Sequence, residues 1–532
     1  MSGTPEKLPD LTDYELPHHP WVLAGAVIIA PFMEVLDTTI TNVALPHIAG
    51  SLSTSSDEST WVLTAYLVSN AIVLPLGGWF SSLFGRKQFY LACVILFTAA
   101  SFLCGLAPNI ELLVFYRILQ GAGGGALQPI SQSILVESFP KEKRGMAMAL
   151  FGVCVVTAPI IGPTLGGWIT DSYSWRWVFF INIPVGILAV FLGMLLVHNP
   201  PYLVRKKIGQ DFKIDYVGLG LIAVGLGALQ ILLDKGERED WFDSHFIVTL
   251  SVICVVCLVS AVFWELRQKD PVIKLRILKD RNFTLGIVVM YSIGFILYGS
   301  TALLPMFLQN LLGYSAMDSG LVISPGGIIT MISMPIVGLL AAKIQAKWLL
   351  IIGSVFGAIG LFMAARFTLQ INFWDAVWSR IVMSAGLGFL FIPVNVAAYY
   401  YIAKADTDYA SGLINLARNL GGSFGISLTT TLLARRMQFH QSRLVEHVTG
   451  TNPVYQHYLA NIQAMFVQQG ADIGNAIIKT KTLIYGFVQQ QAAMLAYIDV
   501  FWILGWIFLL MIPLAFLMKK TTPHAGAAAS IH

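Results

Sequence analysis

Residues 21–45 read Trp21-Val-Leu-Ala-Gly-Ala-Val-Ile-Ile-Ala-Pro31-Phe-Met-Glu34-Val-Leu-Asp37-Thr-Thr-Ile-Thr-Asn42-Val-Ala-Leu45. Length, apolar character and an opening tryptophan make this a membrane-spanning helix, interrupted by two carboxylates. A charge at that depth costs roughly 3 kcal/mol or more, so an acid kept there is a functional candidate. Spaced three apart, Glu34 and Asp37 share one helix face, and Pro31 loosens the backbone one turn earlier. The structural alternative is local bonding to Thr38, Thr41 and Asn42 or, for Glu34, a place near a wet helix edge.

The rest of the chain fits a polytopic membrane protein. Of 532 residues 56% are hydrophobic and 12% charged, with a mean hydropathy of +0.71, outside the range of soluble domains. The net charge of +4 is small and spread out, which gives no sign of a nucleic-acid partner. Cys93, Cys104, Cys154, Cys254 and Cys257 all lie in apolar segments and imply no disulfide framework. Cys254 and Cys257 imitate a redox spacing inside a lipid-depth helix, where small apolar filler is the simpler role. The N-terminal stretch has no basic region or cleavage site, so the first span is expected to stay as an anchor.

A window of about 20 residues finds fourteen spans: 21–45, 59–80, 89–106, 111–134, 146–170, 178–197, 215–234, 246–266, 283–308, 318–341, 349–366, 374–402, 409–433 and 493–518. Most of the 33 Lys and Arg fall in the two tails and in the loops after even-numbered spans, including Arg86-Lys87, Lys141, Lys143, Arg144 and Arg205-Lys206-Lys207. The positive-inside rule then places both termini in the cytoplasm. Trp175 and Trp177 fit an aromatic belt at the outer mouth of the fifth span. The apolar hairpin at 215–266 reads as an insertion, and the polar stretch 434–492 as an outer loop with one or two amphipathic helices. That loop is either a solvated cap or a docking surface for a partner.

Sliding the second half over the first reveals a repeat. At an offset of 263, Arg117-Ile-Leu-Gln-Gly-Ala122-Gly123-Gly-Gly125 falls on Arg380-Ile-Val-Met-Ser-Ala385-Gly386-Leu-Gly388, and Gly162 on Gly425. At 260, Pro75, Gly78 and Lys87 fall on Pro335, Gly338 and Lys347. The expected organisation is a tail at 1–20, a six-helix bundle at 21–200, and a linker with two extra helices at 201–282. A second six-helix bundle at 283–518 follows, containing the loop 434–492, and then a tail at 519–532. Parallel halves related by an axis along the membrane normal are a transporter arrangement, with substrate held between them.

The glycines and charged residues mark candidate working parts. Gly78, Gly85, Arg86 and Lys87 form the turn between the second and third spans, where glycine permits the turn and the basic pair can cap helices or meet headgroups. The glycines at 121–125 imitate a dinucleotide loop but follow Arg117 inside a span with no strand before it, so close helix packing explains them better. In the fifth span, Pro159 and Pro163 bend the helix, and Gly162 and Gly166, followed by Gly167, make a smooth face suited to a pivot between the halves. Arg117 and Asp37 sit at similar depths, about 9 and 12 Å below the outer ends of their helices, so a pair is feasible. Asp37 could then load and release a proton as access alternates. Arg380 and Arg418 are expected to satisfy backbone carbonyls at helix breaks, and Asp499 to be wet.

These motifs resemble those of the major facilitator superfamily, and most closely its fourteen-helix drug:proton antiporters of the EmrB type. The run from Leu36-Asp37 to Pro46 resembles the first-helix signature, Arg117 with Gln120-Gly121 the proton-coupling motif, and Gly162-Pro163-Thr-Leu-Gly166-Gly167 the antiporter motif. The resemblance implies an all-α fold of two six-helix bundles plus two extra helices. It implies a site with Asp37, Arg117 and Glu34 in proton coupling, and Asn42, Gln120, Gln128, Arg380, Asn395, Asn415 and Arg418 as polar residues of a substrate cavity. Ser82 and Leu83 stand where that family usually carries an Asp and often an Arg, which leaves the charge relay of the cytoplasmic gate in question.

By the same resemblance the chain is a multi-pass protein of a bacterial inner membrane, driven by a proton gradient with no cofactor. It would export hydrophobic or amphipathic drugs, in contact with membrane lipids, with a periplasmic membrane-fusion adaptor and an outer-membrane channel as partners. The alternative is an exporter of one defined metabolite, such as a siderophore, fatty acid or lysophospholipid. Neither the catalytic set of a membrane enzyme nor the phosphate loop of an ATP-driven pump is present in the sequence.

Overall fold

A computed structural model of the chain describes residues 19–140, 143–199 and 215–521, and every regular element among them is a helix. This follows from the apolar sequence, because a lipid-exposed backbone must satisfy its hydrogen bonds internally. The basic residues Lys141, Arg205, Lys206 and Lys207, and nearly all of both tails, lie outside the described residues.

We number the main helices α1 (Pro20–Ser51), α2 (Trp61–Phe84), α3 (Arg86–Leu106), α4 (Ile110–Gly124), α5 (Leu127–Ser138), α6 (Arg144–Ser172), α7 (Trp177–Leu196) and α8 (Tyr216–Lys235). They continue as α9 (His245–Arg267), α10 (Arg281–Leu311), α11 (Ala316–Ala341), α12 (Ala346–Ala364), α13 (Phe373–Ala398), α14 (Thr407–Val445), α15 (Pro453–Gln468) and α16 (Ile473–Leu517). Twelve described helices are long and apolar enough to cross a bilayer. The expected fourth span is instead two helices, α4 and α5, interrupted at Gly125 and Ala126. The expected thirteenth lies in α14, whose buried Asp408, Asn415 and Arg418 lower its hydropathy.

Glycines set the close contacts. A Cβ on Gly121 or Gly125 would lie 2.4 or 2.5 Å from a backbone oxygen of α2, and one on Gly123 would lie 2.6 Å from a backbone nitrogen of α3. The glycine run is therefore a packing face. Gly85 adopts φ +86° and turns α2 into α3 with no further loop residue. Between the first and last helical groups, α6 meets α11 where Gly145 and Gly338 abut, and α2 meets α14 where Gly78 abuts the Tyr409 backbone. Both contacts lie at the end of the bundle where α1 begins.

Two helices run past the expected spans. α14 continues to Val445 rather than ending near 433, and α16 begins at Ile473 rather than 493. At 1.5 Å per residue α16 is about 68 Å long, more than twice a bilayer's apolar thickness, so it projects with α15 as a hairpin. Arg436 and His440 flank Asp499 at 3.5 and 2.8 Å, so this acid is ion-paired and only half-exposed rather than simply wet. Trp177 is exposed as a belt residue should be, but Trp175 is buried beneath the Arg176 guanidinium, 4.4 Å from its ring.

Candidate functional site

The structure brings Asp37 and Arg117 together in one cluster, both fully buried. Arg117 Nη1 donates to Asp37 Oδ2 at 2.6 Å and to Gln120 Oε1 at 2.7 Å, and its Nε to the Val62 carbonyl at 3.0 Å. The guanidinium lies 4.2 Å from the centre of the Tyr66 ring. Asp37 Oδ1 accepts from Gln120 Nε2 at 2.9 Å and from Asn182 Nδ2 at 2.6 Å, and Asn182 is itself fixed by Ser101 at 3.0 Å. The partners of Asp37 thus come from α4 and α7, not from Thr38, Thr41 or Asn42. In such a buried pair each charge is compensated chiefly by the other, so loss of either would leave its partner uncompensated.

One turn away, Glu34 is also buried rather than at a wet edge. Its carboxylate accepts from Tyr66 Oη at 3.1 Å, from Asn70 Nδ2 at 3.0 Å and from Gln128 Nε2. The Gln128 carbonyl accepts in turn from Arg418 of α14, so a polar chain runs from Glu34 across to the C-terminal half. Alongside it, Gln132 Nε2 donates to Asn395 Oδ1 at 2.7 Å, and Asn415 donates to Gln132 at 2.5 Å. Gln132 and Asn395 are equivalent at the 263-residue offset, and equivalent residues can touch only beside the axis relating the halves.

At the end where α1 begins, Arg86 is buried and holds two acids. Its Nη1 lies 2.6 Å from Glu137 and its Nη2 3.0 Å from Asp408 of α14. Asp408 also accepts from Ser81 at 2.8 Å and from Ser133. A charge relay is therefore present despite Ser82 and Leu83: its acid comes from the facing helix. Arg86 does not reach headgroups, whereas Lys87 is tied to the Met194 carbonyl at 2.6 Å.

Other candidates fall elsewhere. Arg380 donates to the hydroxyls of Ser300 and Thr301, and Arg418 to the Gln128 side chain, so side-chain oxygens rather than backbone carbonyls hold both. Asn42 is exposed on α1. Gly162 and Gly166 pack on Thr39 and Ile40 of α1, within their own half, and a Cβ on Gly167 would meet nothing within 4 Å. The contact between halves on α6 is made a few turns earlier, by Gly145 and by Gly152 against Met334, on the N-terminal side of Pro159 and Pro163. Asn182, Tyr66, Gln132, Glu137 and Asp408 were not singled out by sequence. A search of the repeat for matching amides would have found Gln132. Among the described residues no cluster of His, Cys, Asp or Glu could hold a metal.

Comparison with known proteins identifies the family and the fold. Residues 27–426 match the family model for the Major Facilitator Superfamily. The chain is 37% identical over 500 residues to the fatty acid resistance protein FarB of Neisseria gonorrhoeae, covering 94% of this chain and 96% of FarB. It is 35% identical over 513 residues to the multidrug export protein EmrB of Escherichia coli (strain K12), covering 96% and 98%. Among solved structures, the proton:xylose symporter XylE superposes with a TM-score of 0.60 at 17% identity, over 95% of this chain and 97% of XylE.

Proposed function

Because the chain belongs to the major facilitator superfamily, in its EmrB-type branch of multi-span membrane transporters, we propose that it is a proton-driven antiporter. Its substrates in this reading are hydrophobic or amphipathic toxic compounds, carried out across a bacterial inner membrane. The observation that carries the reading is the buried cluster of Asp37, Arg117, Gln120 and Asn182. Asp37 takes a proton from the outer side and gives it up inside, and each change alters the tie between α1 and α4. Glu34, joined through Gln128 to Arg418, relays that change to the C-terminal half. The Arg86–Asp408 relay closes the cytoplasmic end in the conformation described, with both termini on that side. The backbone hydrogen bonds missing at Pro159 and Pro163 and the packing of Gly162 and Gly166 on α1 let α6 follow.

The projecting hairpin supports a role for a periplasmic adaptor and, through it, an outer-membrane channel. It exposes Val454, Tyr458, Ile473 and Ile478, and a groove of about 480 Å³ lies beside Phe466 and Phe487. The second reading, export of one defined amphiphile such as a fatty acid, is favoured by the identity to FarB.

The test is substrate-driven proton movement in proteoliposomes. Asp37→Asn should remove the coupled proton flux while the purified protein stays monodisperse. Coupling equal to wild type in that variant would take Asp37 out of the mechanism.

A further inference from the structure

The 263-residue offset that carries Arg117 onto Arg380 also carries Asp37 onto Ser300 and Gln120 onto Met383. The structure repeats the contacts but not the chemistry. Arg117 meets a carboxylate at 2.6 Å, whereas Arg380 Nη1 reaches the Ser300 hydroxyl at 3.4 Å and the Met383 sulfur at 4.0 Å. Among the described residues the one close bond of Arg380 is from Nη2 to Thr301 Oγ1, at 2.9 Å. Among the described residues each guanidinium leaves one nitrogen unpaired, Nη2 in Arg117 and Nε in Arg380, but Arg117 has its carboxylate and the Val62 carbonyl while Arg380 has neither. Arg380 is 7% exposed, and among the described residues no carboxylate forms an ion pair with it. A buried cation flanked by neutral hydroxyls has its desolvation cost largely uncompensated. Gly326 makes the space for it, since a Cβ there would lie 2.8 Å from Arg380 Cγ.

We infer that Arg380, with Ser300 and Thr301, is an anion subsite that receives the carboxylate of an amphipathic monoanion. The ligand supplies the charge that Asp37 supplies in the other half. Guanidinium and carboxylate match in shape, and the unused Nε and loosely held Nη1 leave donors for it. α10, α11 and α13 have high mean hydropathy, and buried apolar residues such as Leu303, Leu304 and Leu387 lie within about a turn or two of Ser300 and Arg380 along their helices, which suits an acyl or aryl body attached to that carboxylate. The inference rests on the export reading and narrows its substrate class.

Laurate and methyl laurate are the probes, with binding measured on the full-length protein in nanodiscs at a pH well above that of the free acid's titration. Wild type should prefer laurate by about tenfold or more, the worth of one charge-assisted hydrogen bond. In Arg380→Gln the ratio of the two dissociation constants should fall toward one. Ser300→Asp, which restores an internal partner for the arginine, should do the same without leaving a charge unpaired. A wild-type protein with no preference for the acid, or an Arg380→Gln protein that keeps the full preference, overturns the inference. So does Arg380→Gln weakening both probes alike while Ser300→Asp keeps the preference, because Arg380 is then only structural. If coupled export of methyl laurate persists in any of these cases, the export reading stands and only the anion subsite falls. Absence of proton-coupled export of any probe sinks the export reading itself.

Discussion

Replacing Asp408 with Asn tests whether the halves are latched by a charge relay whose acid lies on α14. Asp408 accepts from Arg86 Nε at 3.2 Å, from Ser81 at 2.8 Å and from Ser133, and pairs with Arg86 Nη2 at 3.0 Å. An amide of the same shape loses the charge and turns one acceptor into a donor. A hydrogen bond to a charged partner is worth about 1.5–3 kcal/mol. Glu137 still compensates Arg86, so the larger penalty of about 3–5 kcal/mol for baring a buried ion is not incurred. These bonds exist only while the halves meet at this end, so the loss falls on one conformation. The equilibrium should move by about 10–150-fold toward the state open there. Spin labels at Gln88 and Lys404, both exposed and on opposite halves, report it in a background with the five cysteines replaced. The short-distance population should shrink and a longer one grow. Identical distance distributions in wild type and Asp408→Asn, under conditions where the wild type populates both, would refute the latch.

Further outcomes follow from the same contacts. Gly78→Val forces the Tyr409 backbone away, since a Cβ would already lie 2.7 Å from its nitrogen. The strain of about 1–3 kcal/mol should disfavour the closed end and slow transport, as read by the same labels. Gly162→Ala, whose Cβ would lie 2.6 Å from Thr39, should lower export in a whole-cell drug-susceptibility assay. Gly167→Ala, which meets open space, should not, and equal losses would mean that packing on α1 is not what the motif provides. Asn182→Ala removes the 2.6 Å donor to Asp37 and should slow coupled proton flux several-fold with binding retained. Removing 446–472 and bridging the gap should spare vesicle transport but weaken adaptor capture in a pull-down, and undiminished capture would end the docking idea.

The Asp37–Arg117 pair was legible in the sequence because full charges stand out in apolar stretches and helix rise converts residue counts to depth. Asp408 and Glu137 were not, since acids near helix ends are ordinary and nothing local says which opposing helix they face. Asn182 and Gln132 are uncharged and barely lower a hydropathy average, although they complete the buried network. The small face of α6 could be read, but not its partner: which side chain meets Gly162 depends on how α1 packs against it. The helices run on past 433 and start before 493 because hydropathy marks where lipid ends, not where a helix does.

That continuity gives α16 a mechanical role. Residues 473–517 form one unbroken rod, anchored in the C-terminal bundle by Phe501, Leu504 and Phe508 and packed at its far end against α15. A tilt of that bundle by about 10° would swing the outer 20 or so residues of the rod through about 5 Å. Whatever grips the tip therefore senses which way the bundle leans, and a grip that resists the swing exerts torque back on the bundle.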